Sequence, residues 1–128
     1  MQDEKLIYWT IYPNVFLVAE SKESGRLLGF VAYSQMTSDT VELNRLAVHP
    51  DFRQLKVGEK LVTKLINKAK CNGYDTMYLD TSEPQIAGQR LYEKLGFEYL
   101  HSLPMMVYGI HIGVLCGLKD VAFLKRLQ

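Results

Sequence analysis

Cysteine is scarce: the 128 residues hold two, Cys71 and Cys116. Two thiols alone cannot build a disulfide framework or a structural zinc site. They fit a reducing compartment, and each reads as a small buried apolar residue. An excess of one charge is also missing. Lysine and arginine total 15 against 14 acidic residues, for a formal net charge of +1. That excludes the basic surplus of a dedicated nucleic-acid binder. No apolar run reaches the roughly 20 residues of a membrane span. The nearest, Met105 to Leu118, is too short and includes His111. No signal peptide stands at the start, where Asp3 and Glu4 replace a basic region. There is no G-x-x-x-x-G-K-[ST] and no G-x-G-x-x-G after a strand, so a P-loop hydrolase and a Rossmann dinucleotide site are both disfavoured. The three histidines show no metal-ligand spacing. Repeats, linkers and low-complexity tracts are absent.

What is present is a domain-sized chain, read as a single domain over residues 1–128, with 48% apolar and 23% charged residues. Val15 to Glu20 and Arg26 to Gln35 read as a hairpin around the polar turn Ser21 to Gly25. Thr40 to Val48 reads as a third strand. Simple alternation puts Val41, Leu43, Arg45 and Ala47 on one face and Glu42, Asn44, Leu46 and Val48 on the other. Pro50 holds His49 extended, and His49 reads as a turn residue. A helix is expected over Val57 to Cys71, with Leu61, Val62, Leu65, Ile66 and Ala69 inward and Lys60, Lys64, Lys68 and Lys70 on the solvated side. Asn72-Gly73 stops it. Thr76 to Asp80 reads as a strand. Thr81 or Ser82 can cap a second helix, with Pro84 in its first turn and Ala87, Leu91 and Leu95 on one face. Phe97 to Leu103 and Val121 to Leu127 read as strands, and Met105 to Gly117 is ambiguous. A strand–helix–strand unit implies parallel pairing, while short turns imply antiparallel pairing. The expected class is therefore α/β (α+β), with a mixed, mostly antiparallel sheet, a central parallel β-α-β unit and helices on its faces.

The segment carrying chemistry runs from Leu43 to Leu65. A strand feeding a glycine-containing turn at a helix start makes an anion site, because N–H groups and the helix dipole point the same way. Arg53-Gln54-Leu55-Lys56-Val57-Gly58 resembles the [QR]-x-x-G-x-[GA] turn of the GNAT superfamily of N-acetyltransferases, with Lys56 in the middle glycine position. Leu46-Ala47-Val48 resembles the family strand whose backbone pairs with the pantetheine arm. Gln85 to Phe97, ending LYEKLGF, resembles the family's N-x-x-A-x-x-x-L-Y-x-x-x-G-F helix. VAES at Val18, LDTS at Leu79 and DVAFLKRL at Asp120 resemble the camello-like branch, which includes N-acetyltransferase 8. Its members acetylate cysteine S-conjugates, protein lysines or aspartate, and usually carry a hydrophobic segment before the core. The resemblance covers about Val15 to Phe97. The first strand and two helices of most members look missing or reduced to a remnant in Lys5 to Tyr12, so the chain reads as an excised core or a shortened member.

The resemblance implies acetyl-CoA as co-substrate, with no metal. Cofactor contacts carry over to Leu46, Ala47 and Val48, to Arg53, Gln54, Leu55, Lys56, Val57, Gly58, Glu59 and Lys60, and to Gln85, Gln89 and Tyr92. Moving acetyl from a thioester to an amine needs a base, an oxyanion donor and an acid for the thiolate. Tyr92 matches the family acid, and its plain alternative is a helix residue with a surface hydroxyl. Glu42 matches a family base position, and its plain alternative is an exposed strand carboxylate. Asn44 shares the face of Glu42 and could hold water or acceptor. Arg45, between apolar neighbours, is expected to pair with a carboxylate within the sheet. Asp80 and Thr81 read as capping residues. The expected acceptor is an amine, on a small metabolite or on a protein lysine or N-terminus. Two alternatives stay open: a CoA-binding regulatory module without turnover, and an interaction domain whose exposed sheet edge pairs with a partner or forms a homodimer. The chain is expected to be intracellular and cytoplasmic, with membrane association if a longer native form carries an upstream anchor.

Overall fold

The structure is a computed structural model that describes residues 4–11, 13–82, 86–104, 106–107, 110–111 and 119–127. The chain divides into two compact units, Met1–Met77 with Leu127–Gln128, and Tyr78–Arg126.

The first unit is an antiparallel meander of β1 (Glu4–Ile11), β2 (Asn14–Ser21), β3 (Leu27–Gln35) and β4 (Thr40–Val48). Helix α1 (Val57–Cys71) packs on β2, β3 and β4. The segment read as a remnant is thus a full strand, with register from Glu4 opposite Ser21 to Ile11 opposite Asn14. Its run Leu6 to Ile11 is aromatic and apolar without strict alternation, so period alone could not declare it. The inner face carries Val15, Leu17 and Ala19 of β2 and Val31 and Tyr33 of β3, all at most 2% exposed. Helix α1 has the predicted bounds. Its Leu61, Val62, Leu65 and Ala69 are fully buried, and Ile66 is nearly so, because spacings of three and four residues stack on one side. The helix stops at Asn72, whose N–H donates to the Lys68 carbonyl at 3.0 Å, and Gly73 follows at φ 87°. The Asn72 side chain donates to the Tyr33 hydroxyl at 2.8 Å.

Gly29 of β3 marks the approach of this helix. A Cβ there would lie 2.6 Å from the Ala47 carbonyl oxygen and 3.2 Å from Leu61 Cδ1. Gly29, Val31 and Tyr33 therefore face α1, and so do their cross-strand partners Val48, Leu46 and Leu43. The step from Leu43 to Leu46 spans three residues because Asn44 has no opposite residue in the β3 register. Tyr33 pairs with Leu43, and Ala32 pairs with Arg45. This β-bulge overturns the simple alternation expected for β4. Leu43, Leu46 and Val48 share the α1 face, whereas Glu42, Arg45 and Ala47 pair with Ser34, Ala32 and Phe30 on the opposite face.

In the second unit the later part of β5 (Thr76–Ser82) precedes α2 (Ile86–Lys94), and β6 (Glu98–Pro104) pairs antiparallel with β9 (Lys119–Arg126). The ambiguous stretch contains a small hairpin of β7 (Met106–Val107) and β8 (Ile110–His111). The expected helix start at Pro84 lies outside the described residues. Helix α2 closes at Gly96, at φ 92°, and the Phe97 N–H donates to the Tyr92 carbonyl at 2.9 Å. Leu91 and Leu95, expected on one face of the helix, are half-buried, whereas Tyr92 is buried.

Candidate active site

The strand-to-helix junction is built from short-range rules. After β4 the backbone enters a 3₁₀ turn over Pro50–Leu55. His49 caps this turn, its Nδ1 accepting the Asp51 N–H at 3.2 Å, which is the turn role expected of it. The Arg26 guanidinium lies 5.1 Å from the Phe52 ring centroid and 3.8 Å from the Asp51 carboxylate. This brace ties the start of β3 to the turn. Sequence reading missed it, because Arg26 and Phe52 are far apart in the chain with no pattern linking them.

Lys56 then takes φ 58° and ψ 29°, the left-handed region, and α1 begins at the next residue. It is the only non-glycine residue at positive φ among the described residues. That conformation explains the family's glycine at this position, since glycine adopts it without steric cost. Lys56, the N-cap residue of α1, makes no side-chain capping bond. The first-turn N–H groups of a helix have no intrahelical acceptor, and the dipole adds positive potential there. The first backbone bond of the helix is Lys60 N–H to the Lys56 carbonyl, at 3.1 Å. Val57 sends its side chain into the core at 1% exposed, so only its backbone can face a ligand. Gly58, Glu59 and Lys60 are half-buried in the first turn, and Lys56 is exposed. Arg53, Gln54 and Leu55 form the end of the 3₁₀ turn.

Upstream, the bulge rearranges the predicted base region. Glu42, expected on the face of Leu46, lies on the opposite one, because the extra residue Asn44 reverses the alternation. Asn44 stays on the Glu42 side, and its Nδ2 donates to Ser34 Oγ at 2.8 Å. Ser34 is the direct cross-strand partner of Glu42. Arg45 is not paired with a carboxylate as expected. It is exposed, and no ion pair holds its guanidinium among the described residues.

Glu42, Leu46 to Val48 and the Arg53 to Lys60 segment belong to the first unit, and Gln89 and Tyr92 to the second. Gln85 lies outside the described residues. Tyr92 is 6% exposed and packs against Phe97 at 5.7 Å and Phe123 at 6.0 Å between ring centroids. Burial pushes its phenol up to about 12, because the charged phenolate loses hydration there. The reading of Tyr92 as a surface hydroxyl on an amphipathic helix is not what the packing gives. Among the described residues there is no cluster of metal-ligating side chains, and no helix is long and apolar enough to cross a membrane.

The model of the acetyltransferase (GNAT) family matches residues 1–97. The chain belongs to that family. The "Probable N-acetyltransferase camello" of Xenopus tropicalis is 35% identical over 97 residues, which are 73% of this chain and 43% of that protein. The N-acetylaspartate synthetase of the same organism is 32% identical over 67% of this chain and 34% of its own length. The chain thus spans less than half of either relative. A GNAT family acetyltransferase of Elizabethkingia anophelis, solved with acetyl-CoA bound, superposes with a TM-score of 0.78 at 16% identity. That match covers 98% of this chain and 99% of that one. The fold is accordingly the mixed, mostly antiparallel sheet with helices expected from the sequence.

Proposed function

We propose that this chain transfers an acetyl group from acetyl-CoA directly to an amine, as a single catalytic domain working inside the cell. The observation that carries the reading is the Lys56 joint. A left-handed residue delivers the chain from the 3₁₀ turn into a 15-residue helix whose N-cap residue makes no side-chain capping bond. Its first-turn N–H groups suit a pyrophosphate, and Arg53, Lys56 and Lys60 add positive charge. Leu46 to Val48 would offer backbone groups to the pantetheine arm. Cys71, expected to be a buried apolar residue, is an exposed free thiol, which suits a reducing compartment.

In the proposed step the amine nitrogen attacks the thioester carbonyl carbon. One N–H proton passes to the Glu42 carboxylate, directly or through a water, and the C–S bond breaks. The departing thiolate takes the Tyr92 phenolic proton, and solvent restores both groups. The products are an amide and free CoA. Because burial pushes its phenol up to about 12, Tyr92 remains a proton donor at all ordinary pH values. The rate profile should show no limb from it below about pH 11. Tyr92→Phe should lower kcat by roughly 10²- to 10⁴-fold without abolishing acetyl-CoA binding.

The acceptor is an amine of a small molecule or of a protein. The named activity of the N-acetylaspartate synthetase relative supports the first. One observation favours a second reading, a CoA-binding module without turnover: Tyr92 is buried in an aromatic cluster. Calorimetric titration with acetyl-CoA, repeated with Arg53→Ala, followed by turnover against a panel of amines, separates the readings. Binding weakened by Arg53→Ala together with turnover supports transfer. Binding without any turnover supports the module, and no binding removes both.

A further inference from the structure

The 3₁₀ turn that leads to α1 is held at its start by a cap that titrates. Helix starts are ordinarily capped by Ser, Thr, Asp or Asn, whose oxygens accept at neutral pH. Here the cap is His49, with Nδ1 accepting the Asp51 N–H at 3.2 Å. An accepting Nδ1 carries no proton, so the ring hydrogen sits on Nε2. The backbone of His49 is fixed on both sides. Its N–H donates to the Leu28 carbonyl at 2.8 Å, and its carbonyl accepts the Phe52 N–H at 2.9 Å. The imidazole lies 5.4 Å from the Phe52 ring between centroids, and the Arg26 guanidinium lies 5.1 Å from that same ring. One oxygen of Asp51, Oδ2, stands 3.7 Å from His49 Nδ1 and 3.8 Å from the Arg26 guanidinium.

We propose that His49 is a positioning residue for the acetyl-CoA turn, which it holds when neutral and loosens when protonated. This rests on the reading of the Arg53 to Lys60 segment as the pyrophosphate site. Imidazole is the side chain that ordinarily changes charge between about pH 5 and 8. Once protonated, Nδ1 is a donor facing a donor, and the Asp51 N–H loses its acceptor. The imidazolium then turns to the Asp51 carboxylate, in competition with Arg26. Six residues, Pro50–Leu55, separate this cap from the left-handed joint at Lys56. A 3₁₀ turn has poorer hydrogen-bond geometry than an α-helix, so one lost bond is felt along it. Arg53 stands in that turn, and a ligand that must first order a loosened turn binds less tightly. Affinity for acetyl-CoA should therefore be higher on the alkaline side of the imidazole titration and lower on the acid side.

The test separates capping from titration. His49→Asn keeps a capping oxygen at every pH, and His49→Ala removes the cap altogether. Acetyl-CoA binding would be measured by calorimetry for wild type and both variants at about pH 5.5 and about pH 8. Phosphates of the ligand titrate in the same window, so variants are compared at each pH, which removes the ligand's own share. The imidazole is 43% exposed, so both variants should fold, and circular dichroism checks that they do. Wild type should match His49→Asn at the higher pH and bind about 3- to 10-fold more weakly than it at the lower, the scale of one helix cap. His49→Ala should be the weaker binder at both. In the free protein the Asp51 amide resonance should move over the same pH range in wild type and stay still in His49→Asn. Equal pH dependence in wild type and His49→Asn would overturn the proposal. So would His49→Ala binding as tightly as wild type at the higher pH. No binding by any variant at either pH, with the Asp51 amide still titrating, would remove the cofactor reading and the positioning role with it.

Discussion

Lys56 is a residue under two opposed demands. Its backbone sits at φ 58°, where a side chain costs about 1–2 kcal/mol relative to glycine. Its ammonium stands beside the proposed pyrophosphate site. Lys56→Gly should relieve the strain but loosen the unfolded chain, which returns about 0.4–1 kcal/mol. The net expectation is a stability gain of no more than about 1 kcal/mol, read as a higher urea midpoint. The same variant should bind acetyl-CoA about 2- to 5-fold more weakly, since an exposed charge contact contributes up to about 1 kcal/mol. Lys56→Val, β-branched at a left-handed position, should lose on both counts. A Lys56→Gly protein that is less stable and binds equally well would remove both the strain and the charge argument. The family motif flags this position in the sequence, but its conformation does not show there, because a lysine hides what a glycine would have announced.

At the scale of the element, α1 and β4 show what a one-dimensional pattern can and cannot carry. Helix α1 was legible to its end residues, since five apolar residues at helical spacing admit one period and Asn72-Gly73 provides the stop. Strand β4 was legible as a strand but not in its facing. The string Val41 to Val48 alternates plausibly on paper, and a single inserted residue reverses every side chain beyond it. The bulge shows only in the register against β3, a long-range fact. It removes Glu42 from the face of Leu46 and gives it Arg45 as a companion. The same strand pair makes a prediction through Gly29. A Cβ there meets the backbone oxygen of Ala47 at 2.6 Å, and backbone cannot swing aside as a side-chain tip can. Gly29→Ala should therefore cost about 1–3 kcal/mol. It should also displace the Leu46 to Val48 segment, so acetyl-CoA affinity should fall although residue 29 touches no ligand. An alanine variant with wild-type stability and affinity would show that β3 and β4 can part at no cost.

For the whole molecule, the question is whether this length of chain suffices for the cofactor. The family model ends at residue 97, and the chain spans 43% of the camello relative. Yet the Elizabethkingia structure with acetyl-CoA bound matches over 99% of its own length. The fold of this chain is thus matched along nearly all of that structure. If the chain also carries a working cofactor site, ligand linkage sets the outcome. Acetyl-CoA at 100 times its dissociation constant should stabilise the folded state by about 2.7 kcal/mol. For a chain of this size that should raise the melting temperature by about 10 °C. The contribution of helix N–H groups resists salt, whereas that of exposed lysines is screened over about 10 Å at 0.1 M. The shift should accordingly survive 0.5 M salt in reduced form, and Arg53→Ala should reduce it further. Absence of any shift, in a chain that melts cooperatively, would mean that the Lys56 joint and the first turn of α1 do not by themselves make a pyrophosphate site.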